Sequence, residues 1–189
     1  MKSIFLLVII SIGLIASGCS NSGNNSQTSQ EQPKQKEVVI FNDMENAGAI
    51  IPSWNNEKTV VSMSAPAKAH SGEFVSKVDE NEIYSYSYAE LFKNINNVVP
   101  KKVIVNGWVN CAEYNEGLII AMDVNENNKS VIWKGNPITS QINTQNEWHE
   151  FTTEFLIDQA VTPDYQIKIF AFGARKTAYF DDIKITFEY

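Results

Sequence analysis

From Glu37 onward the apolar residues come in short runs with a two-residue period, broken repeatedly by Gly, Asn, Asp and Pro. Side chains alternate across a β-strand, so this period buries one face and leaves the other free. The runs Val38–Phe41, Thr59–Val61, Glu73–Val78, Tyr84–Leu91, Lys102–Cys111, Leu118–Val124, Val131–Trp133, His149–Ile157, Tyr165–Phe172 and Ala178–Phe187 are strand candidates. No window longer than about ten residues keeps a 3.6-residue apolar period. About eight to eleven short strands with such punctuation predict an all-β chain folded as an antiparallel sandwich or barrel. No internal repeat is visible, so residues 37–189 are expected to form one domain.

Composition narrows the function classes. The chain of 189 residues carries 15 basic and 22 acidic side chains, a net charge of −7. A nucleic-acid binder needs a basic stripe to displace counterions from phosphates, so that class is excluded. With 43% hydrophobic and 11% aromatic residues there is enough apolar surface for a folded core. Two cysteines and two histidines are too few for a zinc site built from paired ligands.

Met1-Lys2 is a short positive start, and Ser3 to Ser17 is nearly all Ile, Leu, Val and Phe. This run falls short of the roughly 20 residues that span a membrane and fits the apolar region of a secretory leader. It ends in Ile15-Ala16-Ser17-Gly18-Cys19, which resembles the lipobox of bacterial lipoproteins, with Ala16 where leucine is more common. The resemblance implies a leader over 1–18, removed on processing, and lipid on Cys19. Segment 19–36 has no large apolar side chain, so it is expected to be a disordered polar tether. The resemblance also implies membrane attachment in the cell envelope, with palmitate among the acyl chains. Some lipoproteins exported to the cell surface carry acidic residues directly after the cysteine, and Ser20-Asn21-Ser22-Gly23 has none. The expected location is therefore the outer membrane, on its periplasmic face.

Strand parity separates core from candidate binding face. In Lys102–Cys111, Val103, Val105, Val109 and Cys111 share one face, while Ile104, Asn106, Trp108 and Asn110 share the other. A tryptophan between two asparagines is unusual for a dry core. In Tyr165–Phe172, Ile167, Ile169 and Ala171 are expected inward, with Gln166, Lys168, Phe170 and Phe172 on the opposite face. Tyr84, Tyr86 and Tyr88 alternate with serines, so one strand face is expected to be paved with tyrosine. Aromatic rings flanked by amides are what a sugar-binding groove needs, because the ring stacks on pyranose C–H groups while amides bond the hydroxyls. The same rings also serve ordinary cross-strand packing, and for Trp108 both roles stay open. Trp108, Asn106, Asn110, Lys168, Phe170 and Tyr86 are the candidate ligand residues.

The segments Phe41–Glu45, Ala69–Ser76, Asn146–Phe151 and Tyr179–Ile185 occur in that order. Together they resemble the jelly-roll carbohydrate-binding modules with a galactose-binding-like fold. The resemblance implies a non-catalytic domain contacting a glycan or envelope polysaccharide, with a protein-interaction subunit of an envelope complex as the alternative use of the same face. It also implies one structural Ca²⁺, carried onto Glu45, Asp181 and the backbone oxygen of Asn42. Continuous alternation from Phe187 back through Ile185 and Ile183 places Asp181 inward, and an inward carboxylate needs a partner. Calcium, backbone amides and a lysine are the three solutions. Neither His70 nor His149 has the spacing of a catalytic triad or metal site, so no enzyme is expected.

Overall fold

The computed structural model describes residues 36–46, 49–63 and 67–189. The expected leader, Cys19 and all of the expected tether except Lys36 lie outside them. Among the described residues eleven strands form two antiparallel sheets packed face to face, a jelly-roll sandwich.

The strands are β1 (Glu37–Asn42), β2 (Trp54–Asn55), β3 (Val60–Ser62), β4 (Phe74–Val78), β5 (Ser87–Leu91), β6 (Lys102–Cys111), β7 (Ile119–Glu126), β8 (Lys129–Pro137), β9 (Trp148–Leu156), β10 (Gln166–Phe172) and β11 (Ala178–Glu188). The six-stranded sheet runs β3-β4-β11-β6-β9, with β1 also pairing with β11. The five-stranded sheet runs β2-β5-β10-β7-β8. A short helix, α1 (Phe92–Ile95), follows β5 and buries Phe92.

Alternation decides the layers. Val103, Val105 and Val109 of β6 and Phe151 and Phe155 of β9 face inward against Ile120, Met122 and Val124 of β7 and Ile167 and Ile169 of β10, and all are buried. Phe151 meets Phe180 edge to face, with ring centroids 6.1 Å apart. Burying each such side chain contributes about 1.5–3 kcal/mol. The β7–β8 hairpin turns on Asn127 and Asn128 at φ 49° and 65°, the left-handed pair that a two-residue hairpin loop requires. Across the open side of the sandwich, Lys134 of β8 donates to the Leu156 carbonyl at 2.7 Å. Asn136 donates to the Glu154 carbonyl at 2.9 Å, so β8 staples the edge of β9.

Two bulges reset the alternation. On β10, Ile169 faces Tyr88 while Phe172 bridges to Tyr84, so the chain before β5 carries one extra residue. Ser85 absorbs it: its N–H donates to the Ala171 carbonyl, and its hydroxyl accepts the Ala171 N–H. Tyr86 and Tyr88 therefore point into the core, and Tyr84 points out, so the expected continuous tyrosine face does not form. On β11, Asp181 faces Trp108 but Lys184 faces Asn106, which puts the extra residue at Asp182–Ile183 opposite Gly107. Asp181 consequently shares the outer face with Trp108, contrary to the inward placement expected from alternation with Ile183.

Candidate functional site

The outer face of the five-stranded sheet carries a cleft of about 620 Å³. β10 supplies Gln166, Lys168 and Phe170, because Ile167, Ile169 and Ala171 take the inward positions. β5 supplies Ser87 and Ala89, whose small side chains leave a low floor beside that row. β7 adds Asp123, directly across from Lys168. Asn55 of β2 and the following Asn56 line the far side. Asn56 takes a left-handed φ of 80° and donates its amide to the Tyr84 carbonyl at 2.8 Å, tying the strand end to the bulge. Lys58 and Glu82 pair at the rim.

The bulge at Ser85 is what makes this face aromatic. It turns Tyr84, 49% exposed, onto the outer surface, where it meets Phe170 edge to face at 5.4 Å and Phe172 at 5.7 Å. On β8, Trp133 faces Asp123 across the ladder and is 58% exposed. Its ring covers Gly135, where an added Cβ would lie 2.7 Å from the indole. Glycine is thus the residue that lets this ring lie down on the sheet. The face offers accessible rings with amides and carboxylates between them, which suits a ligand with apolar C–H faces and many hydroxyls.

The sequence-derived ligand set does not converge. Lys168 and Phe170 lie in the cleft. Tyr86 is 5% exposed and packs on Trp54 with centroids 5.2 Å apart, so the core holds it away from any surface ligand. Trp108, Asn106 and Asn110 lie on the outer face of the other sheet. There His70 stacks on Trp108 at 3.8 Å and 13°, so one ring face is already covered. Asn106 donates to the Thr152 hydroxyl, and Asn110 is buried. Alternation left Tyr84 with Tyr86 and gave no weight to Asn55, Asn56, Asp123 or Trp133. The parity match of Trp133 with Asp123 across a hairpin was the signal available for that pair.

The segment from Lys68 to Ser71 is clamped over Trp108. His70 Nδ1 lies 2.7 Å from Asp182, Ser71 donates its hydroxyl to Asp182 at 2.8 Å, and Trp148 donates its indole N–H to the Lys68 carbonyl at 2.8 Å. Asp181 beneath is 0% exposed. It accepts the Ser71 N–H at 3.0 Å and the Asp182 N–H at 2.8 Å. Burial pushes its carboxyl up to about 6, with those two N–H bonds opposing and Asp182 repulsion adding.

Calcium would need a shell of about six to eight inward-facing oxygens. Glu45 accepts the N–H groups of Glu73 and Phe74, both at 2.9 Å, and its carboxylate fills the space where Gly72 has no Cβ. Asn42 Oδ1 accepts the Met44 N–H at 2.8 Å. Each of the three side chains accepts at least one backbone N–H. Among the described residues no three metal-ligating groups cluster. Of the three solutions for Asp181, the structure shows the backbone amides of Ser71 and Asp182.

Cys111 is buried at the end of β6, and burial pushes its thiol up to about 11. It is a small core residue rather than a nucleophile.

No protein-family model and no curated protein matches the chain. Among solved structures, the CBM22-1 xylan-binding domain of Xyn10C from Paenibacillus barcinonensis is similar over 82% of this chain and 98% of its own, at 11% identity and a TM-score of 0.52. The CBM22-2 xylan-binding domain of the same protein is similar over 78% of this chain and 98% of its own, at 13% identity and a TM-score of 0.52. At such identities the likeness is one of fold.

Proposed function

We propose that this protein binds a glycan in the cleft on its five-stranded sheet, without catalysis, while lipid on Cys19 holds it at the cell envelope. The observation that carries the glycan reading is the cleft itself. A floor of Ser87 and Ala89 is bordered by Tyr84 and Phe170 and by the amides of Asn55, Asn56 and Gln166. Solved domains of the same fold are described as xylan-binding, which supports a saccharide over a protein ligand. The anchor rests on the lipobox-like sequence ahead of Cys19, and the polar stretch after it would give the domain reach from the outer membrane.

Substitution separates this cleft from the Trp108 face. Tyr84→Ala and Phe170→Ala are each expected to weaken glycan binding by about 1–3 kcal/mol, by analogy with aromatic stacking on other flat ligands. Trp108→Ala is expected to leave affinity unchanged and to lower stability, since the ring underlies the clamped segment. Calorimetric titration and thermal melts of the three variants check this. Loss of binding on Trp108→Ala with full binding on Phe170→Ala would move the site to the other sheet. A wild type that binds no glycan would favour the protein-interaction alternative.

A further inference from the structure

We infer that the cleft selects glycans bearing an anionic substituent and that Lys168 does the selecting, an inference that rests on the glycan reading above. Lys168 stands in the middle of the outward row of β10, between Gln166 and Phe170. Its cross-strand neighbours are Ala89 and Asp123. Opposite charges directly across an antiparallel pair ordinarily meet. Here they do not: among the described residues no carboxylate lies within the 4.0 Å of an ion pair with Lys168. The reason is on the far side of β7. Ser130 of β8 donates its hydroxyl to Asp123 Oδ1 at 2.6 Å, which draws that carboxylate towards β8 and away from β10. On the near side Ala89 is too short to reach the ammonium.

The other cation of the cleft, Lys58, is already matched by Glu82 at 2.6 Å. The floor therefore presents one ammonium with no carboxylate partner among the described residues, on a half-buried lysine, in a protein of net charge −7. A ligand lying over it strips water from the charge, and neutral hydroxyls return only part of that loss. A carboxylate or a sulfate ester returns it through a charge-assisted hydrogen bond. Lysine is a compact point charge rather than a planar fork, so either anion is accommodated, on the sugar ring seated over Ala89.

The test is a glycan array probed with the full chain, carrying neutral, uronate-bearing and sulfated oligosaccharides, followed by calorimetry on a matched pair with and without the charged substituent. The charged member is expected to bind about tenfold more tightly, the worth of one hydrogen bond to a charged group. Lys168→Gln is expected to bring the ratio of the two affinities to within about twofold, and Lys168→Arg to keep it. The array arms tell carboxylate from sulfate. Equal affinities in the wild type, or a preference for the neutral member, would overturn the selection while leaving the cleft a glycan site. A ratio unchanged in Lys168→Gln would overturn the role of Lys168. If the wild type binds no member of the array, the cleft reading itself falls and this inference with it.

Discussion

Asp181 is held as a carboxylate in a place that favours the neutral acid. Burial raises it from its ordinary value of 3.8 to about 6, although two amides bond it. A folded state that holds the proton more tightly than the unfolded chain gains stability that is complete below about pH 4 and lost as pH rises through 6. Wild type is therefore expected to lose about 2–3 kcal/mol relative to Asp181→Asn between pH 4 and pH 7. Denaturant melts of both proteins across that range read the difference. The His70–Asp182 contact is common to both, so the comparison isolates Asp181. A bound cation would reverse the sign by favouring the ionised carboxyl, and a chelator would then lower the melting temperature. No chelator effect is expected.

At the level of the strand, the bulge in β11 depends on the absence of a side chain opposite it. A Cβ on Gly107 would come within 2.6 Å of Ile183 and 3.1 Å of Phe151. Overpacking of this kind costs about 1–3 kcal/mol. Gly107→Ala is thus expected to lower the unfolding midpoint by that amount while glycan affinity, measured on the other sheet, stays the same. Bulges also mark where reading the chain by alternation stopped working. The faces of β6 and β10 were legible because nothing interrupts their alternation, and Val103, Val105, Ile167 and Ile169 are buried as expected. Tyr84 and Asp181 were not, because one extra residue in each segment exchanges the two faces. An extra residue has no composition of its own: Ser85 and Asp182 look like any other serine and aspartate until a partner strand is supplied. The two-residue β2 was missed for a related reason, since Trp54-Asn55 is too short to show a period.

For the whole chain, the proposed function gives attachment and recognition to separate parts, residue 19 and the folded sandwich. Cys19→Ala is expected to shift the protein from the membrane pellet to the soluble fraction without changing glycan affinity, and fractionation followed by titration checks both. Unchanged retention in the pellet would remove the lipid anchor. The staples from Lys134 and Asn136 have a bearing on how such molecules behave side by side. Sheet edges invite strands from neighbouring chains, which is how sandwiches come to polymerise. At β9 the carbonyls of Glu154 and Leu156, which an arriving strand would need, already hold donors from the same molecule. Under the proposed anchoring, crowding many copies into one plane would bring surfaces together without offering this edge of β9 as a template.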